Sequence, residues 1–151
     1  MADETFDLNQ KFALVAVDDE DRKGEVSAGL QELGYKIHLA ASADDGRERL
    51  RKTAYDVVVI DEAFQGGTVL DNPLLKLLQG MPMTTRRYMF VALLSPAVKT
   101  LDNMTAFAHS VNAVVSYNDV AQIKPILERA LFDNDQFFRV VRTVMQEAGK
   151  R

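Results

Sequence analysis

Acidic and hydroxyl side chains follow the short apolar runs of this sequence at the points where the runs end. In chain order, the residues at these ends are Asp18 and Asp19, Asp61, Ser95, Ser116 and Tyr117. Carboxylate oxygens are ligands that Mg²⁺ prefers, and a Mg²⁺ ion in a protein often shares its coordination with a phosphate. If the runs are parallel strands of one sheet, their carboxyl ends meet at one edge. The residue types therefore predict a Mg²⁺ site built from Asp18, Asp19 and Asp61, with hydroxyl groups beside it.

The apolar runs alternate regularly with longer segments that carry apolar residues at helical spacing. The predicted strands are residues 12–17, 35–40, 57–60, 88–94 and 113–115, and the predicted helices are residues 22–33, 43–52, 73–79, 101–109 and 123–132. Continuous apolar strands between helices indicate a parallel sheet that is covered on both faces. The fold class is therefore predicted as α/β, with three layers and a five-stranded parallel sheet.

Capping residues set the starts of several predicted helices. Ser42 caps the second helix, and the Asn72-Pro73 pair begins the third, with proline in the first turn, where its missing N–H does no harm. Thr100 is predicted as the N-cap of the fourth helix. These signals agree with the boundaries that the apolar periodicity gives.

The composition bounds the class of protein. The chain has 151 residues, a length typical of one domain, and its 47% apolar residues are enough for a hydrophobic core. The absence of cysteine excludes disulfides, thiol catalysis and cysteine-ligated metals. With 18 basic and 22 acidic residues the net charge is −4, which argues against a nucleic-acid partner.

Residues 1–10 are polar and acidic, and we expect them to form a flexible N-terminus. A secretory signal would instead have a basic start followed by an apolar run. No stretch approaches the roughly 20 apolar residues that a membrane span needs. We therefore expect a cytoplasmic protein without a membrane partner.

Several segments carry a resemblance to a known family. They are Val17-Asp18-Asp19-Glu20, Gly34-Tyr35, the run from Tyr55 to Asp61, and Leu94-Ser95. In this order and spacing they resemble the receiver domain of two-component response regulators, the CheY-like domain, over about residues 12–131. The resemblance implies a receiver-like (flavodoxin-like) domain at residues 11–132.

The resemblance also implies a role for each acid at the predicted edge. Asp61 would be the phosphoacceptor, Asp18 and Asp19 would hold Mg²⁺ with it, and Ser95 would contact the phosphoryl group. A histidine kinase or phosphotransfer protein would supply that group, and the surface of the fourth helix and fifth strand would then shift. The function implied is that of a stand-alone response regulator, a phosphoprotein of a phosphorelay whose output is contact with a downstream protein.

The sequence departs from the family pattern around the implied site. Family members end the fifth strand with a Lys-Pro pair, whereas Tyr117 and Asn118 stand here. Tyr117 offers one hydrogen bond and no positive charge, and a charge-assisted hydrogen bond contributes about 1.5–3 kcal/mol, roughly twice a neutral one. Val114 replaces the usual aromatic residue, and Lys99 is a candidate substitute for the lysine.

These departures leave a second interpretation open, in which the chain is a pseudo-receiver that is never phosphorylated and acts as a scaffold for protein contacts. A flavodoxin-like nucleotide-binding protein is a more distant alternative, because the acidic run of residues 18–21 would repel a phosphate. A Mg²⁺-dependent hydrolase is disfavoured as well, since no general base or lysine is evident. We therefore predict that the chain is not an enzyme.

Residues 133–151 form a C-terminal amphipathic extension beyond the receiver-like part. Its apolar members fall within about half of a helical wheel, and they are Phe137, Phe138, Val140, Val141, Val144, Met145 and Ala148. Two alternatives are open: an unbroken helix from Ile123 to Ala148, or a separate helix that residues 133–135 cap and that folds back on the domain. We favour a helix that docks on a partner or on a second copy of the chain, because an overhanging apolar stripe needs a partner.

Overall fold

The five predicted strands form one parallel sheet in the computed structural model, which describes residues 10–68 and 70–147. They are β1 (Lys11–Ala16), β2 (Tyr35–Leu39), β3 (Val57–Asp61), β4 (Phe90–Ser95) and β5 (Ala113–Ser116). Their order across the sheet is β2-β1-β3-β4-β5, and each neighbouring pair is parallel. The predicted α/β fold with a five-stranded parallel sheet is confirmed. Of the N-terminus predicted as flexible, residues 1–9 lie outside the described residues.

Six α-helices flank the sheet in the described part of the chain. They are α1 (Glu20–Glu32), α2 (Ala43–Lys52), α3 (Pro73–Gln79), α4 (Met83–Arg86), α5 (Asn103–Ala108) and α6 (Ile123–Glu147). Short 3₁₀ helices follow β3 and β5, at Phe64–Gly66 and Tyr117–Gln122. Among the described residues, we find no helix with the length and apolar content needed to cross a membrane.

Alternating strand side chains build two hydrophobic clusters, one on each face of the sheet. On one face, Val58 shares a cluster with Leu74 of α3. On the other face, Val59 shares a cluster with Leu30 of α1 and Leu127 of α6. These five side chains are at most 1% exposed. The sheet is therefore the middle of three layers, as its continuous apolar strands predicted.

The strand order reverses next to β1 and β3. The chain goes from β1 to β2 on one side of this pair and from β3 to β4 on the other. At such a point a crevice opens beyond the carboxyl ends of the strands, and ligands of open α/β sheets bind there. Asp18 follows β1 and Asp61 ends β3, so the topology brings both acids to this edge.

The fourth predicted helix begins later than expected, and the prediction that Thr100 caps it was wrong. Asp102 caps α5 instead, since its carboxylate accepts hydrogen bonds from two backbone amides of the first turn at 3.0 and 3.3 Å. Leu101 adopts a left-handed backbone conformation (φ 62°), and its amide donates to the carbonyl of Val114 at 2.8 Å. The loop is tied to β5 before the helix starts, which moves the cap two residues along the chain.

A short helix that the sequence analysis did not predict, α4, lies just before β4. Its last residue, Arg86, donates to the carbonyl of Ser110 at 2.7 Å and to the side-chain oxygen of Asn112 at 3.3 Å. These bonds join α4 to the loop before β5. The turn after α4 takes up the first residues of the predicted strand. As a result β4 begins two positions after its predicted start, and Tyr88 is 75% exposed.

Helix α6 runs without a break to Glu147, so the unbroken helix is the alternative observed. Asp133 pairs with Arg129 at 3.1 Å, and Asp135 pairs with Arg139 at 2.9 Å, each four residues away on the same helix. Such pairs support a helix interior. These acids therefore do not cap a new helix. With 25 residues at 1.5 Å each, α6 is about 38 Å long.

The outer half of α6, which we define as residues 134–147, carries the predicted apolar stripe. Phe137, Val140 and Val144 are 62%, 61% and 57% exposed. The side chains of Phe138, Val141 and Met145, and all of Ala148, lie outside the described part of the structure. The described members of the stripe thus leave most of their surface to solvent.

Candidate functional site

Asp61 is the last residue of β3, and its side chain is 1% exposed. A buried carboxylate needs hydrogen-bond donors, and this one receives them on both oxygens. Arg22 Nε and Nη2 each lie 3.0 Å from Oδ2. The amide of Ala63 donates to Oδ1 at 3.0 Å, and the hydroxyl of Tyr117 donates a short hydrogen bond to the same oxygen. Donors from three parts of the chain therefore surround the predicted phosphoacceptor.

Arg22 reaches Asp61 from the first turn of α1. Asp19 is the N-cap of this helix and accepts a hydrogen bond from the Arg22 amide at 3.0 Å, so the cap fixes where the arginine leaves the helix. The Arg22 Cζ atom lies 3.7 Å from the centre of the Tyr117 ring, a cation–π contact. Burial alone would lower the pKa of Arg22, but the charge and the hydrogen bond of Asp61 outweigh it and raise that pKa. The guanidinium is therefore a permanent positive charge at the site.

Tyr117 stands directly after β5, at the position of the family's lysine, and its ring is half-buried. Ser116, the last residue of β5, holds the turn by accepting a hydrogen bond from the Asn118 amide at 3.3 Å. Burial, the hydrogen bond to Asp61 and the negative charge of Asp61 together raise the pKa of the Tyr117 hydroxyl. The phenol is therefore protonated at neutral pH, and it serves as a hydrogen-bond donor to Asp61.

The two acids after β1 bind backbone amides. Asp18 Oδ2 accepts from the amide of Gln65 at 2.6 Å, and Gln65 has a left-handed backbone conformation (φ 58°). Asp18 thus holds the loop after β3 in an uncommon conformation. Asp19 caps α1, and its carboxylate lies 3.8 Å from Nη1 of Arg22. Both side chains are exposed, in contrast to Asp61.

The arrangement of these three acids can be compared with what Mg²⁺ requires. The ion needs carboxylate oxygens that are free to coordinate it. Here the Asp61 carboxylate accepts hydrogen bonds from a guanidinium, a phenol and a backbone amide, and the Asp18 carboxylate accepts one from a backbone amide. Within the described residues, no group of three or more His, Cys, Asp or Glu is placed to hold a metal ion. The assignment of Asp18, Asp19 and Asp61 as Mg²⁺ ligands stays a prediction, and in this arrangement the side chains do not fit it.

Ser95 and the loop after it complete the edge. Ser95 ends β4, is 1% exposed, and accepts a hydrogen bond from the Ala97 amide at 3.1 Å. Thr100 donates to Asp119 at 2.5 Å and accepts from the Ser116 amide at 2.9 Å. This fastens the loop to the end of β5. Lys99, the candidate substitute for the family's lysine, is exposed.

Arg22, the cation that binds Asp61, was not among the residues predicted from the sequence. One signal could have found it. The first turn of a helix favours acids, because the backbone dipoles place positive charge there. An arginine three residues after the N-cap Asp19 opposes this preference, and an anion nearby would compensate for it. Asp61 supplies that anion, although 39 residues separate the two in the chain.

Comparison with known proteins identifies the fold of the chain through solved structures alone. No family model matches the chain, and no curated protein matches it. Solved structures do match. NtrX from Brucella abortus in complex with ADP superposes with a TM-score of 0.66 at 19% identity over 94% of this chain. This chain spans only 30% of that NtrX chain.

Isolated receiver domains match over nearly their whole length. The receiver domain of sensor histidine kinase PA1611 from Pseudomonas aeruginosa PAO1, with a magnesium ion in its active-site cleft, gives a TM-score of 0.60 at 17% identity. The match covers 80% of this chain and 96% of that one. The chemotaxis response regulator CheY4 of Vibrio cholerae gives 0.61 at 16% identity, covering 81% and 99%. The chain therefore has the fold of response-regulator receiver domains.

Proposed function

We propose that the chain is a receiver-fold signalling module that acts through protein–protein contacts and does not depend on phosphorylation of Asp61. The observation that carries this proposal is the set of donors on Asp61. Both carboxylate oxygens are engaged, by Arg22 on one side and by Tyr117 and the Ala63 amide on the other. The module would be a binding protein of the cytoplasm and not an enzyme.

The chemistry of phosphoryl acceptance explains why these contacts matter. The accepting carboxylate oxygen must approach the phosphorus atom, with Mg²⁺ neutralising the charge around it. Here the attacking oxygen would first have to lose a charge-assisted hydrogen bond, and each such bond contributes about 1.5–3 kcal/mol. The donors also withdraw electron density from the carboxylate. Asp61 is thus better suited to hold α1, β3 and β5 together than to attack a phosphohistidine.

Phosphoryl acceptance at Asp61 is the second candidate, and one observation favours it. Arg22 places a positive charge beside the acceptor, which is what the missing lysine would have supplied. In this candidate a histidine kinase or phosphotransfer protein donates to Asp61, Mg²⁺ binds Asp18, Asp19 and Asp61, and Ser95 contacts the phosphoryl group. Arg22 and Tyr117 would both have to turn away from the carboxylate for this to occur.

One experiment separates the two candidates. The purified chain is exposed to Mg²⁺ with acetyl phosphate and, separately, with beryllofluoride, with Asp61→Asn as the control. We expect no phosphoryl adduct by intact mass spectrometry and no beryllofluoride-dependent change in the amide NMR spectrum. A saturable spectral change or an adduct that the Asp61→Asn control lacks would establish the second candidate instead.

The partner surface proposed for this module is the outer half of α6, with a second copy of the chain as the partner. Val140 and Val144 are both more than half exposed there. Sedimentation velocity over a range of concentrations tests the idea. We expect self-association that Val144→Asp abolishes and that Thr143→Asp, at the adjacent exposed polar position, leaves intact. A monomer at all concentrations would refute a homodimer through this helix.

A further inference from the structure

We propose that Arg22 is an internal cation, which supplies from within the chain the positive charge that a divalent ion would supply at Asp61, and which keeps such an ion out. This inference rests on the proposed function and deepens it, because it names what regulates the same site. It also explains why the three acids at the edge do not fit a metal as they stand.

Arg22 balances the negative charge that the acids bring to this edge of the sheet. Asp18 and Asp19 follow β1, and Asp61 ends the adjacent strand β3. Like charges gathered at one edge of a sheet disfavour one another unless a cation lies among them. Arg22 lies 3.0 Å from the Asp61 carboxylate and 3.8 Å from that of Asp19. One guanidinium therefore balances two of the three acids, including the one that is 1% exposed.

The Arg22 guanidinium is also held in place by its neighbours. The Asp19 cap fixes the first turn of α1, and the Tyr117 ring packs against the guanidinium at 3.7 Å. The Asp61 carboxylate binds two of the guanidinium nitrogens. A planar guanidinium held in this way loses little further freedom when it binds the carboxylate. An ion from solution would have to displace it and also give up its own waters.

Arg22 differs from the other arginines that form ion pairs. In the described part of the chain, the five other arginines with an ion pair each bind an acid three or four residues away on the same helix, and the side chains of those acids are 32–91% exposed. Surface pairs of this kind contribute about 0–1 kcal/mol. Arg22 pairs instead with a buried acid on a different element, 39 residues along the chain. Among the ion pairs of the described residues, this pair is the one that neutralises a buried charge.

The test is a titration of the full chain with MgCl₂. The variants are Arg22→Ala and Arg22→Gln, and Arg47→Ala serves as the matched control because it removes the same charge from an exposed pair on α2. Binding is followed by the amide NMR signals of residues near Asp61 and by the increase in thermal midpoint that a ligand of the folded state produces. We expect each Arg22 variant to bind Mg²⁺ at least about tenfold more tightly than the unmodified chain or the control, which is 1.4 kcal/mol.

The outcomes separate this inference from the proposed function. If the Arg22 variants fold and bind Mg²⁺ no more tightly than the unmodified chain, the inference is overturned while the proposed function stands. If the unmodified chain itself binds Mg²⁺ at Asp61 and takes up beryllofluoride, both are overturned. If Arg22→Ala folds only when Mg²⁺ is present, the ion replaces the guanidinium and the inference is supported. Arg22→Gln retains a hydrogen-bond donor, so it keeps the test decisive if the alanine variant does not fold.

Discussion

The surroundings of Asp61 and the outer half of α6 differ in whether their side chains already have partners within the chain. Asp61 is charged yet 1% exposed, and the fold provides donors for both of its oxygens. Val140 and Val144 are apolar yet 61% and 57% exposed. A site whose polar groups are already paired has little to offer a ligand, whereas an exposed apolar face gains by being covered. The contrast is the reason for proposing α6, and not the strand edge, as the partner surface.

The largest expected effect distinguishes the inner part of α6 from the outer half. Leu127 is completely buried, and Leu127→Ala should lower the free energy of unfolding by about 3 kcal/mol through lost burial and a cavity. Val144→Ala in dilute protein should change it by less than about 0.5 kcal/mol. Urea unfolding measures both values. Equal losses at the two positions would mean that the outer half of α6 packs on its own domain.

The second effect tests the pairing of Asp61. Asp61→Ala should lower the free energy of unfolding by about 2–3 kcal/mol, because it leaves the Arg22 guanidinium and the Tyr117 hydroxyl without their acceptor. Asp135→Ala is the matched control, since Arg139 binds Asp135 at a similar distance, 2.9 Å, on the surface. The control should lose less than about 1 kcal/mol. If Asp61→Ala stabilises the chain instead, repulsion among the acids dominates and the pairing with Arg22 is refuted.

A smaller effect concerns the loop after β4. Thr100→Val removes the donor to Asp119 and the acceptor for the Ser116 amide, so we expect a loss of about 1–2 kcal/mol. Thr143→Val is the control, because that hydroxyl donates to the Arg139 carbonyl on the exposed surface of α6. Chemical denaturation of both variants decides the matter. Similar, negligible losses would show that Thr100 does not fasten the loop to β5.

The smallest effect is a dependence of the free energy of unfolding on pH, and it arises in β2, the outer strand on the other side of the sheet from β5. Burial first, then the charges of Arg49 and Lys36, lower the pKa of His38, whose Nδ1 lies 2.7 Å from the Tyr55 hydroxyl. The unfolded chain therefore binds this proton more tightly than the folded one. The contribution of neutral His38 to the free energy of unfolding is therefore fully present above a pH of about 6.5, and it is lost as the pH falls through the folded pKa. An NMR titration of the His38 ring, folded and in urea, checks it, and an identical pKa in both states would contradict it.

Much of the fold follows from the sequence because it depends on local periodicity. The buried strands and the acids and hydroxyls at their ends, such as Asp61 and Ser95, could be placed before any contact was known. The contact between Arg22 and Asp61 could not, because 39 residues separate them and only the sheet topology brings them together. Thr100 was misassigned for a similar reason, since its partners Asp119 and Ser116 belong to the end of β5 and the turn after it.

The most direct test of the account is the side-chain Nε–Hε NMR signal of Arg22 in the unmodified chain. A guanidinium bonded to a buried carboxylate should give a sharp signal that exchanges slowly with water. We predict that this signal keeps its position and its protection when millimolar Mg²⁺ and beryllofluoride are added. A saturable shift or loss of the signal on addition of Mg²⁺ would show that the ion displaces Arg22 from Asp61, and it would contradict the account.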